Sequence, residues 1–159
     1  MVSAVALDAR RAREVLAQVV DPEIPTLTIE ELGILRDVAV EEGRVTVDIT
    51  PTYSGCPAMD LIRRQVRDAL VAAGFVDVEV RTVYAPAWTT DDISDEGRRK
   101  LAAVGIAPPR RLDEVTVPIL CPRCATDRVR TVAQFGSTAC KALMVCERCG
   151  EPFDRFKEL

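Results

Sequence analysis

The cysteines of this 159-residue chain have the spacing that most clearly implies chemistry. Cys121-Pro122-Arg123-Cys124 and Cys146-Glu147-Arg148-Cys149 are two C-x2-C pairs, and 21 residues separate them. Each pair turns tightly enough to aim two sulfurs at one centre, and two pairs complete a tetrahedron. The spacing therefore predicts a four-cysteine metal site. Zinc is favoured because closed four-cysteine structural sites usually hold zinc, while a rubredoxin-like iron site stays open as an alternative.

The region around these pairs differs in composition from the rest of the chain. Residues 121–159 hold 7 Lys/Arg against 5 Asp/Glu, whereas residues 1–120 hold 14 against 20. Residues 128–135 alternate like a strand, as a zinc ribbon requires. So short a tail builds little core, and a bound metal would supply its folding energy. We therefore expect a structural rather than a catalytic zinc.

These observations predict two parts joined by a stiff linker. We place a main domain at 1–107, a Pro-rich linker at 108–114 and a zinc ribbon at 115–159. Cys140 lies in the ribbon but fits neither C-x2-C pair, so it is either a buried thiol or an accessory, exchangeable ligand.

The sixth cysteine, Cys56, lies in a different setting, the segment 51–60 between a strand pattern and an amphipathic helix pattern. Pro57 suits the first helical position, which puts Cys56 at or near the N-cap. There the helix dipole favours a thiolate, so we expect a pKa below the usual value of about 8.5. A reactive or metal-seeking thiolate is favoured over the alternative of a small buried hydrophobe.

Four other residues are candidate helpers of Cys56. Asp21 and Glu23 sit in a Pro-rich loop that would have to fold back over the thiol. One thiolate with hard oxygen ligands would then offer a transient iron site. Thr52 and Ser54 are better explained as turn formers than as nucleophiles, because the chain has no histidine to act as their base.

The lack of histidine and the overall charge exclude several classes of protein. Without histidine, the chain has no Ser-His-Asp or Cys-His catalysis and no haem with a proximal histidine. No general-base constellation is visible, so we do not expect an enzyme. The net charge of −4 and the 4% aromatic content weaken the hypothesis of a nucleic-acid-binding zinc ribbon. With no apolar run long enough to span a bilayer and no secretory signal, we expect a cytoplasmic protein without membrane contact.

The elements that position these residues follow from hydrophobic periodicity. Asp8 is expected to cap a first helix, 34–40 and 44–50 form a hairpin, and 75–83 is a further strand. A helix between the second and third strands carries an apolar stripe: Met59, Ile62, Val66, Ala69, Leu70 and Ala73.

Strand, helix and strand in this order predict a parallel βαβ unit. Cys56 and the 84–90 loop, with Trp88, would then lie at the carboxyl ends of parallel strands, where sites are found. Trp88 fits a core position as well as a binding surface, and the pattern at 94–104 predicts another short helix. The predicted fold class is α+β, a small α/β sandwich with a hairpin and a βαβ unit, followed by a small zinc-ribbon β module.

Several motifs resemble a known family. Asp21-Pro22-Glu23-Ile24-Pro25, Leu32-Gly33-Ile34, the segment 51–57 and the Trp88 loop resemble the SufT-type metal–sulfur cluster assembly domain. The tail motifs at 135–142 and 149–154 extend the resemblance to the small accessory subunits of the phenylacetyl-CoA ring epoxidase system. Together these motifs cover nearly the whole chain.

The resemblance implies a bacterial, cytoplasmic role in aerobic phenylacetate degradation, as a factor that matures a metal cofactor. The cofactor would be the iron–sulfur cluster of the system's reductase or the di-iron centre of its oxygenase. Cys56 matches the family's reactive or metal-linked cysteine, so a transient iron ion or iron–sulfur cluster is implied there. The implied partners are the epoxidase and reductase components and iron–sulfur carrier proteins, and a homodimer stays open. A non-catalytic structural subunit of the same complex is the alternative.

Overall fold

Two sheets of three strands each organise residues 7–114 and 116–159, the part of the chain that this computed structural model describes. The first six residues of the predicted main domain and Val115, the first residue of the predicted ribbon, lie outside it. The chain divides into two compact units, one ending at Ala87 and the other beginning at Trp88. The boundaries expected at residues 107 and 115 stay a prediction about domains. Within the described residues, no helix combines the length and the apolar character that crossing a bilayer requires.

The first unit contains two helices and one sheet in its described residues. The helices are α1 (Ala9–Leu16) and α2 (Met59–Ala72), and the strands are β1 (Leu35–Glu41), β2 (Arg44–Ile49) and β3 (Asp77–Thr82). The strand order is β1-β2-β3, with β1 and β2 antiparallel and β2 and β3 parallel across α2. The predicted hairpin and βαβ unit are therefore confirmed.

Local sequence explains where these elements form. Asp8 accepts the backbone N–H of Arg11 at 2.8 Å, which caps α1. The hairpin turns through Glu42 and Gly43, both with positive φ, a backbone twist that matches that of the flanking strands. The side chains that α2 buries recur every three or four residues along one face: Met59, Ile62, Val66 and Leu70.

The start of β3 differs from the prediction. We expected the strand to begin at Phe75, but it begins at Asp77 and Val76 is 94% exposed. The N–H of Phe75 bonds to the Leu70 carbonyl at 3.1 Å, and Gly74 has a φ of 102°. This is the hydrogen bonding of a Schellman helix end. The helix terminus therefore extends to Phe75, which is buried in place of Val76.

The second unit contains α3 (Asp95–Ala103) and a sheet of β4 (Val129–Ala133), β5 (Lys141–Cys146) and β6 (Pro152–Phe156). The three strands are antiparallel in the order β4-β5-β6. The outer edge of β6 is covered, because Ala107 exchanges backbone hydrogen bonds with Asp154 and Phe156 at 2.9 Å. Among the described residues, the outer edge of β4 has no strand beside it.

Trp88 is a core residue of this second unit. Its side chain is buried, and its ring centroid lies 6.1 Å from that of Phe156, which is fully buried. Of the two positions that its sequence context allowed, the core position is the one observed.

Candidate functional site

The two C-x2-C pairs fold into turns with the same backbone hydrogen bonds. The N–H of Cys121 bonds to the carbonyl of Thr126 at 2.8 Å, and the N–H of Cys146 bonds to that of Glu151 at 2.9 Å. The carbonyl of each first cysteine accepts the N–H four residues later, at 2.8 Å from Ala125 and 3.0 Å from Gly150. Both of these residues have positive φ, 55° and 75°. The two knuckles are thus equivalent turns, and the same left-handed position is occupied by alanine in the first and by glycine in the second.

The sulfur geometry fits a tetrahedral metal ion. The Sγ atoms of Cys121, Cys124, Cys146 and Cys149 all lie within 4.8 Å of one another. Two cross-knuckle distances are 3.8 Å, from Cys121 to Cys149, and 3.6 Å, from Cys124 to Cys146. A tetrahedron with zinc–sulfur bonds of about 2.3 Å has sulfur–sulfur edges of about 3.8 Å, whereas a disulfide needs about 2.05 Å. The cysteines are therefore free thiols arranged as a metal ligand set.

Two thiols of this set, Cys146 and Cys149, have pKa values that are shifted in opposite directions. Burial raises the pKa of Cys146, but the backbone N–H groups of Cys149 and Arg148 outweigh it and lower that pKa to about 6. The N–H of Cys149 reaches Cys146 Sγ at 3.4 Å. A hydrogen bond from the Glu151 N–H lowers the pKa of Cys149. Burial and the hydrogen bonds with the other three thiols outweigh it and raise that pKa to about 12. A divalent cation would replace these shared protons, since only thiolates ligate zinc.

Cys140 lies apart from this ligand set. It is buried just before β5, and its Sγ lies 3.0 Å from the Thr138 hydroxyl oxygen. The group of cysteines within 4.8 Å of one another does not include it among the described residues. The structure thus gives the accessory-ligand hypothesis no geometric support.

Cys56 occupies a turn rather than a helix N-cap, which corrects the prediction. The helix begins at Met59 with Ala58 as its N-cap, two residues later than the pattern indicated. The N–H of Cys56 bonds to the Tyr53 carbonyl at 3.3 Å, and Gly55 within this turn has a φ of 81°. The Cys56 carbonyl then accepts the N–H of Met59 at 3.3 Å. Pro57 therefore lies in a second turn before the helix, not at its first position.

The protonation of Cys56 is also opposite to the expectation. Its pKa is raised rather than lowered, mainly because the half-buried thiol is desolvated. The Ala58 N–H and the Tyr53 side chain hydrogen-bond to the sulfur and lower the pKa in part, while the negative charges of Glu23 and Asp21 raise it. The thiol is therefore mostly protonated near neutral pH, and the charges of two carboxylates act on it.

The loop that carries these carboxylates is held by its own hydrogen bonds. Asp21 is buried, and its Oδ1 accepts the N–H groups of Glu23 at 2.9 Å and of Ile24 at 2.7 Å. The Asp21 N–H bonds to the Leu27 carbonyl at 2.8 Å, which closes the loop. The charges of this loop act on Cys56, but among the described residues the thiol and the two carboxylates do not form a group whose ligand atoms could share one metal ion.

The remaining residues of the site come from the turn itself. Thr52 is half-buried and Ser54 is exposed, both in the turn before Cys56. The sequence reasoning missed Tyr53, the residue whose side chain hydrogen-bonds to the Cys56 sulfur. Its position three residues before Cys56, with Gly55 between them, is the signature of a β-turn that brings the first and fourth residues together.

The fold and the cysteine geometry define a class of protein: a small α+β domain followed by a four-cysteine zinc ribbon. Residues 10–82 match the family described as iron-sulfur cluster assembly protein, and residues 106–157 match the PaaD zinc beta ribbon domain. The chain belongs to the PaaD-like family, which combines these two parts.

Individual relatives agree with this assignment. The chain is 45% identical to an Escherichia coli K12 protein that is provisionally named as one of the subunits of 1,2-phenylacetyl-CoA epoxidase, over 89% of this chain and 88% of that protein. It is 41% identical to the Fe-S protein maturation auxiliary factor SufT of Staphylococcus aureus, over 48% of this chain and 88% of that protein. A solved structure of a domain of unknown function, DUF59, from Bacillus anthracis has a TM-score of 0.55 at 27% identity and covers 58% of this chain and 90% of that one.

Proposed function

We propose that this protein helps to mature an iron-containing cofactor of a phenylacetyl-CoA epoxidase system, with Cys56 as a transient ligand of the iron or cluster. The observation that carries the proposal is that the negative charges of Glu23 and Asp21 act on the half-buried Cys56 thiol. A cation that enters there is attracted by both carboxylates and displaces the thiol proton. Because the proton competes for the sulfur near neutral pH, binding is reversible, as a transfer step needs.

The ribbon plays a different part in this proposal. Its four cysteines form a closed set that leaves no open position for a substrate, which is the arrangement of structural zinc sites. Zinc would hold the second unit folded and the ribbon would serve as a docking module. The protein would thus be an accessory factor rather than an enzyme.

In this proposal the partners of the protein are components of the epoxidase system. The support is the Escherichia coli relative, which shares both parts of the chain, and the maturation-factor names of relatives that share only the first part. The clients would be the iron–sulfur reductase and the di-iron oxygenase components, and iron–sulfur carrier proteins would deliver the cargo.

Anaerobic reconstitution with iron and sulfide tests the role of Cys56. Wild type should bind iron beyond its zinc, and Cys56→Ser should lose that iron while keeping the zinc. Cys140→Ser, the other cysteine outside the knuckles, is the matched control and should load like wild type. Equal iron in wild type and Cys56→Ser, together with full epoxidase activity in cells that carry only the variant, would contradict the proposal.

A structural subunit of the epoxidase is the second candidate, and the name of the Escherichia coli relative favours it. Size-exclusion chromatography of the co-expressed components separates the two. A stoichiometric complex that survives purification supports the structural subunit, while transient, substoichiometric contact supports the maturation factor.

A further inference from the structure

The exposed face of α2 runs directly away from the Cys56 loop. The helix begins three residues after Cys56, and its outward side chains include Leu61 and Val71, which are 40% and 53% exposed. Arg64 and Arg67 lie between them and are also exposed. We call these four residues the α2 surface.

The arginines of the α2 surface lack the ion pairs that neighbouring arginines make. Arg63 contacts Asp60 at 2.8 Å, and Arg44 contacts Asp77 at 2.9 Å. Within the described residues, Arg64 and Arg67 contact no carboxylate within 4.0 Å, although Asp68 is one helical turn from Arg64. Two guanidinium groups are therefore left to attract an external anion.

The negative charge near Cys56 indicates which kind of partner protein Arg64 and Arg67 would attract. Burial is the main reason that the pKa of Cys56 is raised, and the negative charges of Glu23 and Asp21 raise it further. A protein that receives iron presents its own thiolates or carboxylates, so its surface near the metal site is acidic. Such a partner is repelled by the loop carboxylates and needs a compensating cationic surface next to them. The α2 surface lies at that place in the chain.

We propose that the α2 surface docks an acidic, partly apolar patch of the protein that exchanges iron or a cluster with Cys56. This inference rests on the proposed function and names the surface that function requires. Leu61 and Val71 supply the apolar contact area typical of the centre of protein interfaces. A nucleic acid fits less well, because two unpaired arginines on a chain of net charge −4 make too small a cationic surface for a phosphate backbone. A second copy of the chain would bring like charges together.

Charge reversal tests the docking. The variant is Arg64→Glu/Arg67→Glu, and the control is Arg10→Glu/Arg99→Glu, which changes the net charge equally at two largely exposed side chains on other helices. The probe is the apo form of the epoxidase's iron–sulfur reductase, mixed anaerobically with each iron-loaded protein. The measured quantities are the iron content before mixing, the transfer rate and the dissociation constant at low and high salt.

The docking variant should load iron like wild type but transfer it about tenfold more slowly, with a correspondingly weaker complex and a flatter salt dependence. The control should behave like wild type in all three measurements. Transfer at the wild-type rate by the docking variant overturns the α2 surface but leaves the proposed function standing. So does an equal loss in variant and control, because the effect would then be one of net charge.

Two further measurements distinguish the remaining explanations. If Cys56→Ser loads and transfers iron like wild type, the proposed function itself is wrong, and the α2 surface proposal is overturned with it. If the docking variant loses salt-sensitive retention on DNA while transfer is unchanged, the surface binds nucleic acid and the protein-docking proposal is overturned. Zinc content and the circular dichroism spectrum check that each variant is folded.

Discussion

Asp21 Oδ1 accepts the backbone N–H of Ile24 at 2.7 Å, deep in the loop that lies ahead of the first strand. The same oxygen accepts the N–H of Glu23 at 2.9 Å. A buried carboxylate that satisfies two backbone donors fixes the path of the loop. The loop in turn keeps the charge of Glu23 acting on Cys56, 33 residues further along the chain.

Removing the charge of Glu23 should lower the pKa of Cys56. Glu23→Gln removes one of the negative charges that raise this pKa, so the thiolate forms at lower pH. The pH dependence of iodoacetamide alkylation, followed by mass spectrometry of the peptide with Cys56, measures the shift. The half-maximal rate should move to lower pH in Glu23→Gln and stay in place in Glu30→Gln, a control at an exposed glutamate. An unmoved profile in Glu23→Gln would show that its charge does not reach the sulfur.

Mutation of the ribbon knuckles should remove the zinc. We expect one zinc per chain in wild type and none in Cys121→Ser/Cys149→Ser, because the remaining two thiolates cannot complete a tetrahedron. Elemental analysis of the purified proteins makes the measurement, and Cys140→Ser should keep its zinc. Zinc retained in the double variant would mean that the ligands are other residues.

The turn before Cys56 should tolerate asparagine better than alanine at position 55. Gly55 has a φ of 81°, and a Cβ added there would meet no atom within 4 Å. The cost of Gly55→Ala is therefore conformational rather than steric, about 1–2 kcal/mol of unfolding free energy. Gly55→Asn should cost less, because asparagine adopts the left-handed region more readily. Denaturant unfolding of the zinc-loaded proteins measures both, and an equal cost would point to a contact rather than to φ.

Glu158 should stabilise the protein except in acid. Burial alone would raise its pKa, but hydrogen bonds from Arg110 and Arg155 lower it to about 2, with Arg110 Nε at 3.0 Å. A lowered folded-state pKa gives stability that is complete above the unfolded pKa of about 4.3 and is lost as the pH falls towards 2. Glu158→Gln should therefore lower the unfolding free energy by about 2 kcal/mol at pH 7, with the difference from wild type vanishing near pH 2.

Denaturant unfolding at several pH values measures this difference in free energy. Loss of zinc in acid affects both proteins equally and therefore cancels in the difference. Glu147→Gln, at an exposed glutamate of the second knuckle, is the control and should change little. A wild-type advantage that stayed constant down to pH 2 would contradict the assignment to this carboxylate.

Short-range features of the structure could be predicted from the sequence. The knuckles bring two sulfurs together through covalent spacing alone, and the equivalent hydrogen bonds at Cys121 and Cys146 show how local that geometry is. The Asp8 cap and the alternation of Val45, Val47 and Ile49 are equally local, and the structure has each of them.

Features that depend on tertiary packing could not be predicted in this way. The pKa of Cys56 is set first by burial and then by opposing hydrogen bonds and charges, and no local pattern shows which of these prevails. The helix begins at Met59 rather than at Pro57, because a second turn precedes it. The residue types at 57 and 58 are compatible with either a turn or the start of a helix. Val76 fitted an alternating strand equally well, and only the hydrogen bond from Phe75 to Leu70 shows that the helix end extends that far.

The ribbon sheet has one covered edge and one open edge in the described residues, since Ala107 lies along β6 and no strand lies along β4. An extended segment from another molecule could therefore add to this sheet on one side only. Two copies joined through β4 would have no free edge left for a third, so growth would stop at a pair. Pairing through β4 would therefore join ribbons in twos rather than in an open series.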